Sequence, residues 1–256
     1  MRLLLSIFLI LLVNAACNNA VYSAIFPGIH NSSTTHKLNP GQLMQLAAEL
    51  RLATGLTDLS FETAGMLIAG TRIEGGSAEA RRLLANALSS GKRFEIENYE
   101  GSPDIAFARI SAGEDLVENG VRLTVYRIQL DFADFKCLSG DQRAQAAFGV
   151  GLNVLHELTH GALGLMDPTN GAPIEGDCER IVNRIRAELN LPRRAKYDPE
   201  LTVSLLSSGS RLVQASLFFI EETGEKRKLT WLASRVAPNA AYADGRLSWR
   251  TSVGRK

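Results

Sequence analysis

His156-Glu157-Leu158-Thr159-His160 is the most informative stretch of this 256-residue chain. Two histidines four apart fall on one face of a helix, because four residues are close to one 3.6-residue turn. Both imidazoles can therefore reach a single metal ion. Glu157, beside the first, stands where it can take a proton from a metal-bound water. The chain has only four His among its residues. Random placement produces such a match at a level of roughly 1%, so the motif is informative.

The surroundings of the motif read outward as follows. A helix begins at Asp141, after Ser139-Gly140, and its apolar side is Phe148, Leu152, Leu155, Leu158 and Leu163; Gly161 and Gly164 weaken its end. Met166 to Pro173 is a loop. Asp177 is a good N-cap for a second helix whose Cys178, Ile181, Val182, Ile185 and Leu189 keep a helical period until Asn190-Leu191-Pro192. Upstream the period is two. Phe94 and Ile96 alternate with Glu95 and Glu97, Ile105 to Ile110 is a further strand, and Val121 to Phe132 is a long one. Its apolar phase slips between Val125 and Tyr126, which marks either a bulge or a central strand buried on both faces. Helices are expected over Gln42 to Ala53 and Ser77 to Leu88, and a hairpin over Leu212 to Ile220 and Lys228 to Arg235 around Thr223-Gly224. The fold class is α+β: a small, mostly antiparallel sheet packed on the motif helix and the helix after it, plus a C-terminal β-hairpin.

Composition is ordinary for a globular protein, and a net charge of +1 makes no case for nucleic acid. The basic excess gathers at Gly224 to Lys256, where the local net charge is +6, and reads as a solvated tail. The N-terminus has the pattern of an export signal over residues 1–20: Arg2, the apolar run Leu3 to Val13, then Ala15, Ala16, Ala20 and Ala24 as small residues for cleavage. Ala15-Ala16-Cys17 resembles the end of a bacterial lipoprotein box, with Asn14 where that pattern usually has leucine. Cys17 is then either lipidated or removed. Residues 21–41 read as a linker carrying exposed His30 and His36, residues 42–200 as the domain, and residues 201–256 as the hairpin and basic tail. Export places the protein in a periplasmic, cell-envelope or extracellular setting. There Cys137 and Cys178 form an even pair, and a disulfide between them would contribute roughly 4 kcal/mol.

Two histidines do not complete a catalytic zinc site, which takes three protein ligands and leaves one position for water. The extended pattern with a third histidine six residues on fails, because that position is Met166 and Leu163 stands where the pattern has glycine. A carboxylate is expected instead, from Asp167, Glu175, Asp177 or Glu179. Here the sequence resembles the gluzincin type of zinc metallopeptidase, the thermolysin-like group. In that group a Glu on the next helix, about twenty residues past the second His, completes the site, and an Asp four further on orients the first His. Glu179 lies nineteen residues past His160, and Asn183 stands where the group has Asp. The likeness covers roughly residues 150–190. It implies a small zincin-like domain that binds Zn2+ through His156, His160 and Glu179. It also implies hydrolysis of peptide bonds with Glu157 as general base, in a monomer acting on protein or peptide. Asp167, seven past His160, is close to the metzincin offset. Tyr197 is the first choice for the donor to the oxyanion, with Arg184 and Arg186 behind it. A looser likeness, over Gly76 to Tyr99 and Asn183 to Pro192, is to secreted bacterial effector metallopeptidases. The alternatives are a non-proteolytic zinc-binding protein and a metal-free envelope lipoprotein.

Overall fold

The motif helix lies in the larger of two buried cores. The computed structural model describes residues 26–32, 34–118, 120–168, 175–205, 207–208 and 211–236. The export signal, Cys17 and most of the basic tail lie outside the described residues. In chain order the elements are β1 (Gly28–Asn31), α1 (Pro40–Thr54), β2 (Ser60–Phe61), β3 (Leu67–Ile68), α2 (Ala78–Ser89), β4 (Arg93–Asn98), β5 (Ala108–Ile110), β6 (Glu114–Glu118), β7 (Val121–Leu130), α3 (Phe132–Lys136), β8 (Ser139–Gly140), α4 (Gln142–Ala146), α5 (Val150–Leu163), α6 (Asp177–Glu188), β9 (Arg193–Arg194), β10 (Glu200–Leu205), β11 (Arg211–Ile220) and β12 (Lys226–Leu232). No helix among the described residues is long and apolar enough to cross a membrane.

The fold is α+β, with one mixed and one antiparallel five-stranded sheet. The first runs β1-β4-β7-β5, with β6 also on β7. β1–β4 and β4–β7 are parallel, while β5 and β6 pair antiparallel with β7. The phase slip in β7 is therefore that of a central strand. Its register against β4 runs unbroken from Arg93↔Val125 to Asn98↔Leu130. The second sheet runs β10-β11-β12-β8 with β9 on β11. The C-terminal hairpin is thus the middle of a larger sheet that draws in residues 139–140, 193–194 and 200–205.

Each sheet has its own core. The first gathers Leu46, Leu50, Leu84, Phe94, Ile128, Leu155 and Leu158 around α5. The helix approaches β4 closely because position 161 is glycine: a Cβ there would lie 2.4 Å from the ring of Phe94. The second core is aromatic. Phe107 meets Phe148 and Trp231 edge-on, at centroid distances of 5.0 and 5.1 Å. Distant side chains complete the helix ends. Gly149 cannot cap α5, so Glu49 of α1 accepts the Gly151 N–H at 2.8 Å. Glu188 of α6 similarly accepts from Ser77 and from the Glu79 N–H at the start of α2.

Several expectations are corrected. Asp141 does cap a helix, but only the short α4; Ala147 ends it, and the motif helix starts afresh after Gly149. Asp177 is the first residue of α6, and Gly176 is its N-cap. Part of the expected linker is β1, so His30 is buried at 6% exposure; four residues are too few to show a period. Cys137 and Cys178 are both free thiols. Cys137 caps the end of α3 against the aromatic core, whereas Cys178 is buried in α6.

Phe107 links the two cores through an uncommon backbone. Its φ is +62°, and the Ala108 N–H reaches back to the Ala106 carbonyl at 2.7 Å, closing a three-residue γ-turn. Buried Asp134 holds that turn by accepting the Phe107 N–H at 2.9 Å. Burial pushes the Asp134 carboxyl up to about 7, against this hydrogen bond and with help from Asp131. In the unfolded chain Asp134 loses its proton near the ordinary carboxyl value of 3.8, whereas the folded protein keeps it until about 7. The stability tied to this proton is therefore present in acid and is lost as pH rises across that window. Asp134→Asn keeps an acceptor and removes the charge. Its stability relative to wild type, from urea melts, should rise between pH 4 and pH 7 and then level off.

Candidate metal centre

Gly164 decides where the third ligand falls. It caps α5 with φ +70°, its N–H bonding to the His160 carbonyl, and the Leu165 N–H bonds to the Thr159 carbonyl. The chain turns back across the helix end, so Leu165 and Asp167 face His160. Glycine and acid each come one residue later than in the extended pattern with glycine at 163 and the ligand at 166.

Asp167 lies against both histidines. Its Oδ1 is 3.2 Å from His156 Nε2, and its Oδ2 is 3.2 Å from His160 Nε2. Ligand atoms of the three residues all lie within 4.8 Å of one another. Zinc–ligand bonds of about 2.0–2.1 Å at tetrahedral angles put neighbouring ligand atoms about 3.3–3.4 Å apart. The two histidine–carboxylate separations are close to that edge, each through a different oxygen of Asp167. Asp167 Oδ1 is also buried, and beyond the nearby His156 ring nitrogen it has no hydrogen-bond donor, so a cation can be accommodated there. The donor set therefore fits a divalent transition metal that takes imidazole and carboxylate ligands, zinc among them.

Each ligand is oriented from behind. His160 Nδ1 is 2.8 Å from the Leu165 carbonyl, which can only accept, so Nδ1 carries hydrogen and Nε2 faces Asp167. Cys178 Sγ is 3.4 Å from the same nitrogen. His156 Nδ1 faces Glu179 Oε2 at 3.7 Å. Tyr197 donates its hydroxyl hydrogen to Asp167 Oδ2 at 2.7 Å, and its ring stacks on that of His156. Glu157 is buried beside the pair and accepts the Ile110 N–H from β5.

The electrostatics describe a pocket short of positive charge. Burial raises Glu157; the two imidazoles oppose this, and Asp167 adds to it. Burial also works against the charge on Asp167, but the two imidazoles hold it well below the ordinary carboxylate range. Burial opposes the His160 imidazolium as well, yet hydrogen bonds to Asp167 and Cys178 carry it up to about 11. A proton on His160 thus occupies the electrostatic place of a cation.

The structure places Asp167, and not Glu179, with the two Nε2 atoms. Glu179 lies behind His156, 1% exposed, paired with Arg186 and with Arg194 at 3.3 Å. Burial opposes its charge, but the two guanidinium groups hold it at about 2. Glu179 thus stands behind His156, in the place that sequence analogy gave to Asn183. Asn183 instead donates to Glu175 at 2.7 Å and accepts from Arg186 and from the Arg194 N–H. Asp177 pairs with Arg180, and Arg184 points away to Glu79. Tyr197 is in the site as expected, although its hydrogen is given to Asp167. Arg194 was missed; nothing local marks it, because its partner lies fifteen residues away.

Comparison with known proteins adds no relative: no family model, no curated protein and no solved structure matches this chain.

Two outcomes follow. Glu179→Gln leaves Arg186 and Arg194 buried without their carboxylate and should cost about 3–5 kcal/mol in urea melts of chelator-treated protein. A metal needs neutral His160, whose proton is held up to about 11, so zinc binding at any lower pH displaces it. Calorimetry in buffers of different ionisation enthalpy at pH 7.5 should report at least one proton released per zinc, with affinity rising as pH rises.

Proposed function

We propose that this chain is a zinc-dependent peptidase, with His156, His160 and Asp167 as metal ligands and Glu157 as general base. The observation that carries the reading is the cluster itself. Two helix-borne imidazoles and the carboxylate of Asp167 have their ligand atoms gathered around one point, with a second buried carboxylate beside them. Bound zinc supplies an acidified water and a Lewis acid for the substrate carbonyl. The residues of the chain do the rest. Glu157, oriented by the Ile110 N–H and raised by burial, is suited to take a proton and return it to the leaving amine. Tyr197 and Glu179 keep Asp167 and His156 aimed. A small cavity lies beside His156 and Glu157, between β5 and the second sheet. The export pattern of residues 1–20 fits a substrate met outside the cytoplasm.

Mass spectrometry of the native protein should find one zinc, and Asp167→Asn should weaken zinc binding at least about tenfold. Glu157→Gln should retain the metal while hydrolysis of a denatured protein falls by about 10²–10⁴-fold. Zinc retained with no hydrolysis by wild type would favour a non-proteolytic zinc protein; no zinc would end both readings.

A further inference from the structure

Asp167 meets the two imidazoles edge-on. Its Oδ1 faces His156 Nε2 and its Oδ2 faces His160 Nε2, both at 3.2 Å. Position alone therefore offers a metal both oxygens equally. The choice matters for the chemistry, because a catalytic zinc takes three protein ligands and keeps one position for water. A carboxylate bound through both oxygens would crowd that position.

Tyr197 breaks the symmetry. Its hydroxyl lies 2.7 Å from Oδ2. An ionised carboxylate only accepts, so the phenol is the donor. A hydrogen bond to a charged acceptor is strong, and it draws electron density from the oxygen that receives it. Among the described residues, Oδ2 thus has two polar neighbours, the Tyr197 hydroxyl and His160 Nε2, whereas Oδ1 has the His156 ring nitrogen alone. Oδ1 is the better donor left for a cation. The phenol is also held where it stands. Its ring stacks on that of His156 with centroids 6.0 Å apart, and the Arg194 guanidinium lies 4.9 Å from its centroid. Arg194 is fixed in turn by Glu179 and by the Tyr197 carbonyl.

We infer that Tyr197 is a positioning residue that makes Asp167 a ligand through Oδ1 alone, and so keeps a coordination position open for the reacting water. The inference rests on the metal site proposed above and adds the coordination number of its ion.

The test uses the full chain loaded with cobalt(II), a divalent ion that takes the same ligand types as zinc. Its visible absorption reports geometry, intense when four-coordinate and weak when five-coordinate. Wild type should give the intense spectrum. Tyr197→Phe should still bind cobalt, while absorption per bound ion falls at least about twofold as Oδ2 joins the metal. A tyrosine that only supports the fold would alter affinity or melting temperature and leave the spectrum per bound ion unchanged. A weak spectrum in wild type, or an unchanged one in Tyr197→Phe, overturns the inference and leaves the metal reading standing. Protein that binds neither cobalt nor zinc overturns the metal reading and this inference with it. Should Tyr197→Phe not fold, a crystal structure of zinc-loaded wild type decides. Oδ1 alone within about 2.2 Å of the zinc is the expected result, and Oδ2 alone or both oxygens at that distance overturns the inference.

Discussion

A single buried carboxylate holds the two halves of the protein together. Glu179 on α6 pairs with Arg186 of the same helix and with Arg194 of β9. Arg186 also donates to the Ala147 carbonyl at 2.8 Å, just before the motif helix, and β9 pairs with β11 of the second sheet. One anion thus fastens the helical layer, the approach to α5 and the C-terminal sheet. Buried charges are tolerated only when mutually paired and hydrogen-bonded. Asn183 meets part of that requirement by accepting from Arg186 and from the Arg194 backbone.

The candidate metal centre inherits its geometry from this arrangement. Glu179 backs His156, while the Gly164 turn brings Leu165 and Asp167 over His160. Tyr197 follows β9 in the chain and lies against Asp167; Arg194 also donates to the Tyr197 carbonyl. The site is therefore supported from both sheets. Its ligands are neighbours in sequence, but the groups that aim them come from the α6–β10 region.

Much of the fold was legible because the signals were local. Asn39 and Gln42 form a capping box on α1 and Ser77 caps α2, each a side chain bonding within its own turn. Gly55 ends α1 in the left-handed conformation, as a glycine after a periodic run suggests. β4 carries its alternation openly. What was not legible was non-local. β1 and β10 are too short or too exposed to show a pattern. Glu49 and Glu188 cap helices more than a hundred residues away from them. Phe107 adopts its turn because Asp134 and two packed cores hold it there.

At the site the division falls in the same place. The sequence alone determined His156, Glu157 and His160, because helical periodicity sets their common face before any packing occurs. It narrowed the third ligand to four acids. Choosing among them needed the path of the chain after Gly164 and the destination of Glu179. In sequence, Glu179 has the spacing of a ligand. In space it has two arginines within reach, and a carboxylate neutralised by two guanidinium groups in a dry interior has no reason to seek a metal. Asp167 is the acid whose two oxygens face the two Nε2 atoms, and only the tertiary structure could reveal which acid that would be.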